Sequence, residues 1–260
     1  MQITRLLALL LALSVMIACD DTPEERALRS GPVGTLTGEI LLAPGAQLPA
    51  YTPLDMMRRP LRVHSLPDPP EECTQANEAA RTAVTLTPEG RLRGVVIAAS
   101  DFTRVRERKP KHHKLKIERC RLQPTLIAAQ GGDVLELENH DAYAFEPLLG
   151  PAYEAQALPR GEPLERPLIA SGLDIVQCSL GAPCGRADLI VFHHPVHTVS
   201  DDAGTFRIPN FPAGELVRVT AWHPLFEPSE TYVWLDPGGH SAVKLQLTPK
   251  TRFTDAEDRR

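Results

Sequence analysis

The chain has 260 residues, with 28 Lys and Arg against 33 Asp and Glu and a formal net charge of −5. That modest balance, with no dominating basic stretch, argues against nucleic acid as a partner. The 25 Pro and 17 Gly punctuate short alternating apolar runs, the pattern of an all-β protein with little helix.

Residues 1–18 read as a signal peptide. Arg5 gives a basic start, and Leu6 to Ile17 is an apolar run too short to span a bilayer as a mature helix. Met16-Ile17-Ala18-Cys19 resembles the bacterial lipobox. That resemblance implies a lipid on Cys19 and a membrane anchor in the cell envelope, on the periplasmic face of the inner or outer membrane. Residues 19–33 are mostly polar and charged and read as a flexible tether; residues 249–260 read as a disordered tail.

Between them, strands are expected in chain order. Gly34 to Leu42 alternates, with Leu36, Gly38, Ile40 and Leu42 on one face. Leu92 to Ala98 reads as one strand, followed by Lys114 to Glu118 and Val134 to Glu138. Asp188 to Phe192 is an apolar run suited to a buried strand. Thr205 to Ile208, Val217 to Trp222, Thr231 to Leu235 and Ala242 to Leu247 complete the set. Ala43 to Pro70 and Pro147 to Pro167 are too rich in proline for interior strands and are expected to cover sheet edges. Glu71 to Arg81 is the one segment that reads as a short helix. The basic run Lys109 to Lys116 reads as a solvated loop.

With Cys19 lipidated, Cys73, Cys120, Cys178 and Cys184 remain, in an oxidising compartment. Four cysteines allow three pairings. Gly181 and Pro183 make a tight loop between Cys178 and Cys184, so the expected pairs are Cys178–Cys184 and Cys73–Cys120.

Two family resemblances lie in these runs. Thr198 to Ile208 with its Asp-Ala-Gly turn, then Phe211-Pro212-Ala213-Gly214, then Ala221-Trp222-His223, resembles the carboxypeptidase regulatory-like (transthyretin-like) β-sandwich, as does the opening strand from Gly34. Ile117 to Pro124, Gly132 to Asp141 and the stretch around Cys178 resemble a cupredoxin. Together they imply a transthyretin-like sandwich, residues 34–105 plus 193–248, interrupted by a cupredoxin-like Greek-key sandwich, residues 106–192.

The cupredoxin pattern would place copper ligands at Phe145, Cys178, Gly181 and Cys184. Blue copper needs two neutral imidazoles, a thiolate and a weak axial ligand. Phe145 and Gly181 offer no ligating side chain, and a Cys178–Cys184 disulfide would consume the thiolate. The expectation is therefore a site without copper or other cofactor. The rival expectation is copper handling or electron transfer through His140, His193, His194 or His197. Strand alternation would send His193 and His194 to opposite faces; the resemblance makes His194-Pro195 a structural turn.

No nucleophile elbow, zinc-protease helix or phosphate-cradling loop is present, so no enzyme is expected. The expected role is a lipid-anchored envelope protein that binds or supports another envelope protein or a glycan. A carbohydrate-binding module, resting on exposed Trp and Tyr, is the third alternative.

Overall fold

The computed structural model describes residues 31–52, 71–73, 82–150, 153–181 and 184–251. The lipobox with Cys19, most of the tether, the tail beyond residue 251 and the greater part of the expected helix lie outside the described residues; Glu71–Cys73 is helical.

Eighteen strands follow in chain order: β1 (Val33–Leu42), β2 (Thr85–Leu86), β3 (Leu92–Arg93), β4 (Val96–Ser100), β5 (His112–Glu118), β6 (Arg121–Gln123), β7 (Leu126–Gln130), β8 (Val134–Asn139), β9 (Phe145–Leu149), β10 (Leu164–Pro167), β11 (Gly172–Gly181), β12 (Arg186–Phe192), β13 (His197–Val199), β14 (Thr205–Pro212), β15 (Leu216–Trp222), β16 (Phe226–Glu227), β17 (Ser229–Trp234) and β18 (His240–Pro249). The all-β expectation holds.

Sixteen of these strands form two sandwiches, and β2 and β3 pair with each other as a small separate sheet. The outer sandwich stacks sheet β14-β1-β18-β16 on sheet β13-β4-β15-β17. Its core takes Leu36 and Ile40 from β1, Phe206 and Ile208 from β14, Val217 and Val219 from β15, and Leu245 from β18. Period-two alternation turns these side chains inward. Gly38 belongs to the same inward row. A Cβ there would lie 2.5 Å from the Phe206 ring and 2.4 Å from the Val243 carbonyl, so the ring occupies the space glycine leaves.

The inner sandwich is built wholly from β5 to β12, between β4 and β13. Its sheets are β10-β8-β5-β6 and β7-β12-β11-β9. β5 runs parallel to β8, and β7 parallel to β12. Leu115, Ile117, Leu135, Leu137, Val176, Leu189 and Val191 fill the core. A third, smaller cluster joins the sandwiches: Val96 packs with Leu126 and Ala128, flanked by Ile190, Phe192, Val199 and Trp222. Tyr51 adds a polar latch. It packs in the outer core and donates to the buried Asp188 carboxylate on β12, while the Arg186 guanidinium lies 4.5 Å over its ring and bonds Asp188 at 2.6 Å.

Three expectations need correction. Leu92 to Ala98 is not one strand. Gly94 takes φ +71° and breaks it, and Ser200 fills the gap by accepting from Val95 N–H at 3.0 Å and donating to Leu92 O at 2.9 Å. His193 and His194 do not alternate across a strand, because β12 ends at Phe192 and the chain bends through Pro195. The basic run Lys109 to Lys116 is not a loop throughout, because β5 takes it up from His112. Among its described residues the proline-rich stretch from Pro147 to Pro167 holds no interior strand; it carries the end of β9 and all of β10. Both are sheet edges, where the missing proline N–H costs no ladder bond.

Candidate functional site

The positions of interest gather at one end of the inner sandwich. β5 turns into β6 through Arg119 and Cys120, both left-handed at φ 52° and 57°. Two such residues give the turn type that matches strand twist, at a steric cost for side chains other than glycine. Asp141 offsets that cost. Its carboxylate accepts from Arg119 N–H at 2.8 Å and Cys120 N–H at 2.7 Å. Asn139 shapes the same loop from within: its amide donates to Tyr143 O at 2.6 Å and Leu158 O at 2.9 Å, and its oxygen accepts from Asp141 N–H at 2.9 Å. The Asn139-His140-Asp141 motif thus performs a complete structural task with backbone partners.

Phe145 follows on β9. It exchanges backbone bonds with Leu158, Phe145 N–H to Leu158 O at 3.2 Å and the return bond at 2.7 Å, and its register partner on β11 is Gly181. The side chain is 1% exposed and packs in the inner core with Cys184, also 1% exposed. Cys178 and Cys184 form a disulfide, with Cα atoms 5.6 Å apart. Cys73 and Cys120 form the second, with Cα atoms 5.1 Å apart across 47 positions. Both expected pairs are present. Cys184 O accepts from Leu122 N–H at 2.9 Å, tying the short covalent loop to β6. Phe145, Cys178, Gly181 and Cys184 therefore lie together, around a phenyl ring and a covalent bridge.

The histidines are scattered. His140 is exposed and bonds Glu138 at 3.0 Å; Lys114 and His140 hold the Glu138 carboxyl down, to about 2. His193 bonds Ser171 at 2.8 Å. His194 accepts from Val196 N–H at 3.2 Å and meets Phe102 edge-on at 5.0 Å. His197 stacks on Phe192 at 4.7 Å, and its Nδ1 bonds His194 O at 3.0 Å. Burial lowers both His194 and His197, the latter to about 4, so both rings are neutral near pH 7. The His194 and His197 ring centroids stand 6.4 Å apart. Among the described residues no three of His, Cys, Asp and Glu are grouped to hold a metal ion.

Sequence reasoning missed the carboxylate at the other end of this sandwich. Asp133, between β7 and β8, is buried. It accepts from Arg108 at 2.7 and 2.5 Å, from Lys111 N–H at 2.8 Å and Gln130 N–H at 2.9 Å, and meets His113 at 2.8 Å. Burial alone would raise its pKa; Arg108 and the other donors outweigh that and hold it below the usual carboxylate range. The knot pins the segment entering the inner sandwich. Gly132-Asp133 stood in the sequence only as part of a resemblance, and nothing there pointed to Arg108. Also missed was an open patch on the outer sandwich made by Leu216, Tyr232 and Trp234.

No family model matches the chain, and none of the curated proteins matches it in sequence. Among solved structures it is similar to amicyanin from Paracoccus versutus, at 13% identity over 30% of this chain and 79% of that one, TM-score 0.28. It is similar to a purple cupredoxin from Nitrosopumilus maritimus at 14% identity, over 30% of this chain and 98% of that one, TM-score 0.27. A copper-containing nitrite reductase from Thermus scotoductus gives 15% identity over 36% of this chain and 24% of that one, TM-score 0.28. At these scores the strand order, mixed pairing and core described above carry the account of the fold.

Proposed function

We propose that this chain is a lipid-anchored protein of the bacterial cell envelope, with a non-catalytic binding or structural role, whose cupredoxin-like sandwich works without copper. The observation that carries this reading is the content of the loop end: a buried Phe145 and the Cys178–Cys184 bridge stand where the resemblance would put a ligand histidine and a ligand thiolate. A type 1 centre needs a free thiolate and two neutral imidazoles at one point. Asn139 and Asp141, which the resemblance ties to a ligand loop, bond backbone groups. In this reading residues 34–105 with 193–248 form the transthyretin-like frame, Cys19 carries the lipid, and the partner is another envelope component.

Two measurements test it. Protein purified without a histidine tag is titrated with copper and followed by visible absorption and elemental analysis; silence in the visible is expected, and an intense thiolate-to-copper band overturns the metal-free reading. Mass spectrometry of the mature N-terminus is expected to find a diacylglycerol adduct on Cys19. An unmodified N-terminus overturns the anchor.

A further inference from the structure

Among the described residues the outward face of sheet β13-β4-β15-β17 is apolar at its two ends, with Arg218, Thr220 and Glu230 between them, and one of those ends is covered. Near β13 and β4 it is buried by the inner sandwich, through Val96, Val199 and Trp222 against Leu126, Ala128, Ile190 and Phe192. At the far end, on β15 and the edge strand β17, it is open. Leu216 is 54%, Tyr232 58% and Trp234 59% exposed. Register sets Leu216 opposite Trp234 and Arg218 opposite Tyr232, and opposite residues of an antiparallel pair share a face. The intervening Val217, Val219 and Val233 point into the core. Three large apolar side chains therefore stand in one group, two of them aromatic with a polar tip, the type that settles at a membrane–water boundary.

The place where the chain enters the fold bears on the same group. Pro32 O accepts from Ala213 N–H at 3.0 Å, and Val33 O accepts from Gly238 N–H at 2.8 Å. Ala213 lies just before Leu216, and Gly238 just after Trp234. The N-terminal segment thus arrives between the two turns that bound the patch. Cys19 lies twelve positions before Gly31, a reach of at most about 40 Å.

We infer that the Leu216–Tyr232–Trp234 face is a membrane-docking surface, resting on the headgroup–acyl boundary of the bilayer that holds the lipid. The inference rests on the lipid anchor proposed above. With the chain fixed at Cys19, the patch at its entry point is already held near the bilayer, so apolar contact adds to the anchor as a second, weaker signal. Charges around the patch are mixed. Arg218 pairs with Asp101 at 3.1 Å and Glu230 at 3.8 Å, Arg106 bonds Asn210, and Glu215 caps Thr103. Docking is therefore driven by the aromatic and aliphatic side chains and is similar on zwitterionic and anionic bilayers.

The test uses the full chain, matured in a bacterium and reconstituted into phosphatidylcholine vesicles with brominated or ordinary acyl chains. Trp222 and Trp234 are the only tryptophans. Trp222→Phe leaves Trp234 as the sole indole, and its emission is expected to be quenched by brominated lipid. Trp234→Phe leaves Trp222, in the interface between the sandwiches, which is expected to stay unquenched. Leu216→Ser with Tyr232→Ser is expected to cut the Trp234 quenching severalfold while leaving far-UV circular dichroism unchanged. A lipidated chain whose Trp234 is quenched by aqueous iodide and not by brominated lipid overturns the docking face and leaves the anchor standing. An unlipidated Cys19 overturns the anchor instead. Protection of Trp234 from both quenchers, with mass rising with concentration or emission shifting on added glycan, assigns the patch to a second copy or a sugar and overturns the inference.

Discussion

Phe145 offers the most direct test of the idea that an apolar plug and a covalent bridge organise the loop end. Its ring is buried in the inner core and its backbone is tied to Leu158 and Gly181, so the surroundings have little freedom to collapse onto a smaller side chain. Phe145→Ala removes the ring and leaves a cavity, at a cost of about 3–5 kcal/mol. Phe145→Leu keeps most of the volume and costs about 1.5 kcal/mol or less. Phe145→His nearly preserves volume but places an imidazole among apolar neighbours, which adds about 1–3 kcal/mol for a polar group without a partner. Leu is expected to lose least, with His about 1–3 kcal/mol beyond Leu and Ala about 3–5 kcal/mol. Urea unfolding read by far-UV circular dichroism measures these losses, and Trp222 fluorescence reports separation of the sandwiches, since that indole packs in the interface. A loss under 1 kcal/mol for Ala, or a His variant as stable as Leu, refutes the plug. The second result would mean that the pocket still supports an imidazole.

The disulfides should differ in worth. On loop entropy, closing 47 positions with Cys73–Cys120 stabilises by about 4 kcal/mol and closing 6 with Cys178–Cys184 by about 2 kcal/mol, so paired Cys→Ala variants should differ by about 2 kcal/mol in urea titrations; equal losses contradict this. Stability should fall on acidification, because burial keeps His197 neutral to about 4 and His223 to about 3. The unfolded chain takes up protons near 6.5, so the contribution is complete above pH 6.5 and is lost as pH drops toward those values. For His197 it is about 3 kcal/mol, and His197→Asn should flatten the profile between pH 6.5 and 4. Asp133→Asn leaves Arg108 facing a neutral amide in a buried site and should cost about 3–5 kcal/mol, measured as a lowered urea midpoint; a neutral substitution would show that the knot is not anchoring the inner sandwich.

Most of the strands were legible from alternation and turns, because Leu36, Phe206, Val217 and their like announce a buried face by period alone. β7, β9 and β11 were not, nor were the short β2, β6, β10, β13 and β16. Leu126 to Ala129 is buried on both faces, so alternation is absent, and β9 carries Pro147, which an edge strand tolerates and an interior one does not. The break at Gly94 was hidden because the residue that repairs it, Ser200, comes from far along the chain. At the site, residue type was enough to see that Phe145 and Gly181 offer no ligating side chain. What the motif residues do instead required three dimensions. The partners of Asn139, Asp141 and Asp133 are chiefly backbone N–H and C=O groups, which every sequence possesses and none displays.

The pairing of β1 also sets the order in which the protein can be built. Leu36 faces Ile208 on β14 and Ser241 on β18, so the first strand to emerge must wait for the last before its sheet can close. The strands of the inner sandwich, from β5 to β12, have all their partners among themselves and can close while the remainder is still arriving. Once closed, that sandwich holds its two ends together, and those ends lead directly from β4 and into β13, which pair at Ala98 and His197. The long loop between them is then already shortened before the outer strands meet, removing much of the entropy that distant pairing must overcome. On this topology the inner sandwich can act as a clasp that brings β4 and β13 together for pairing.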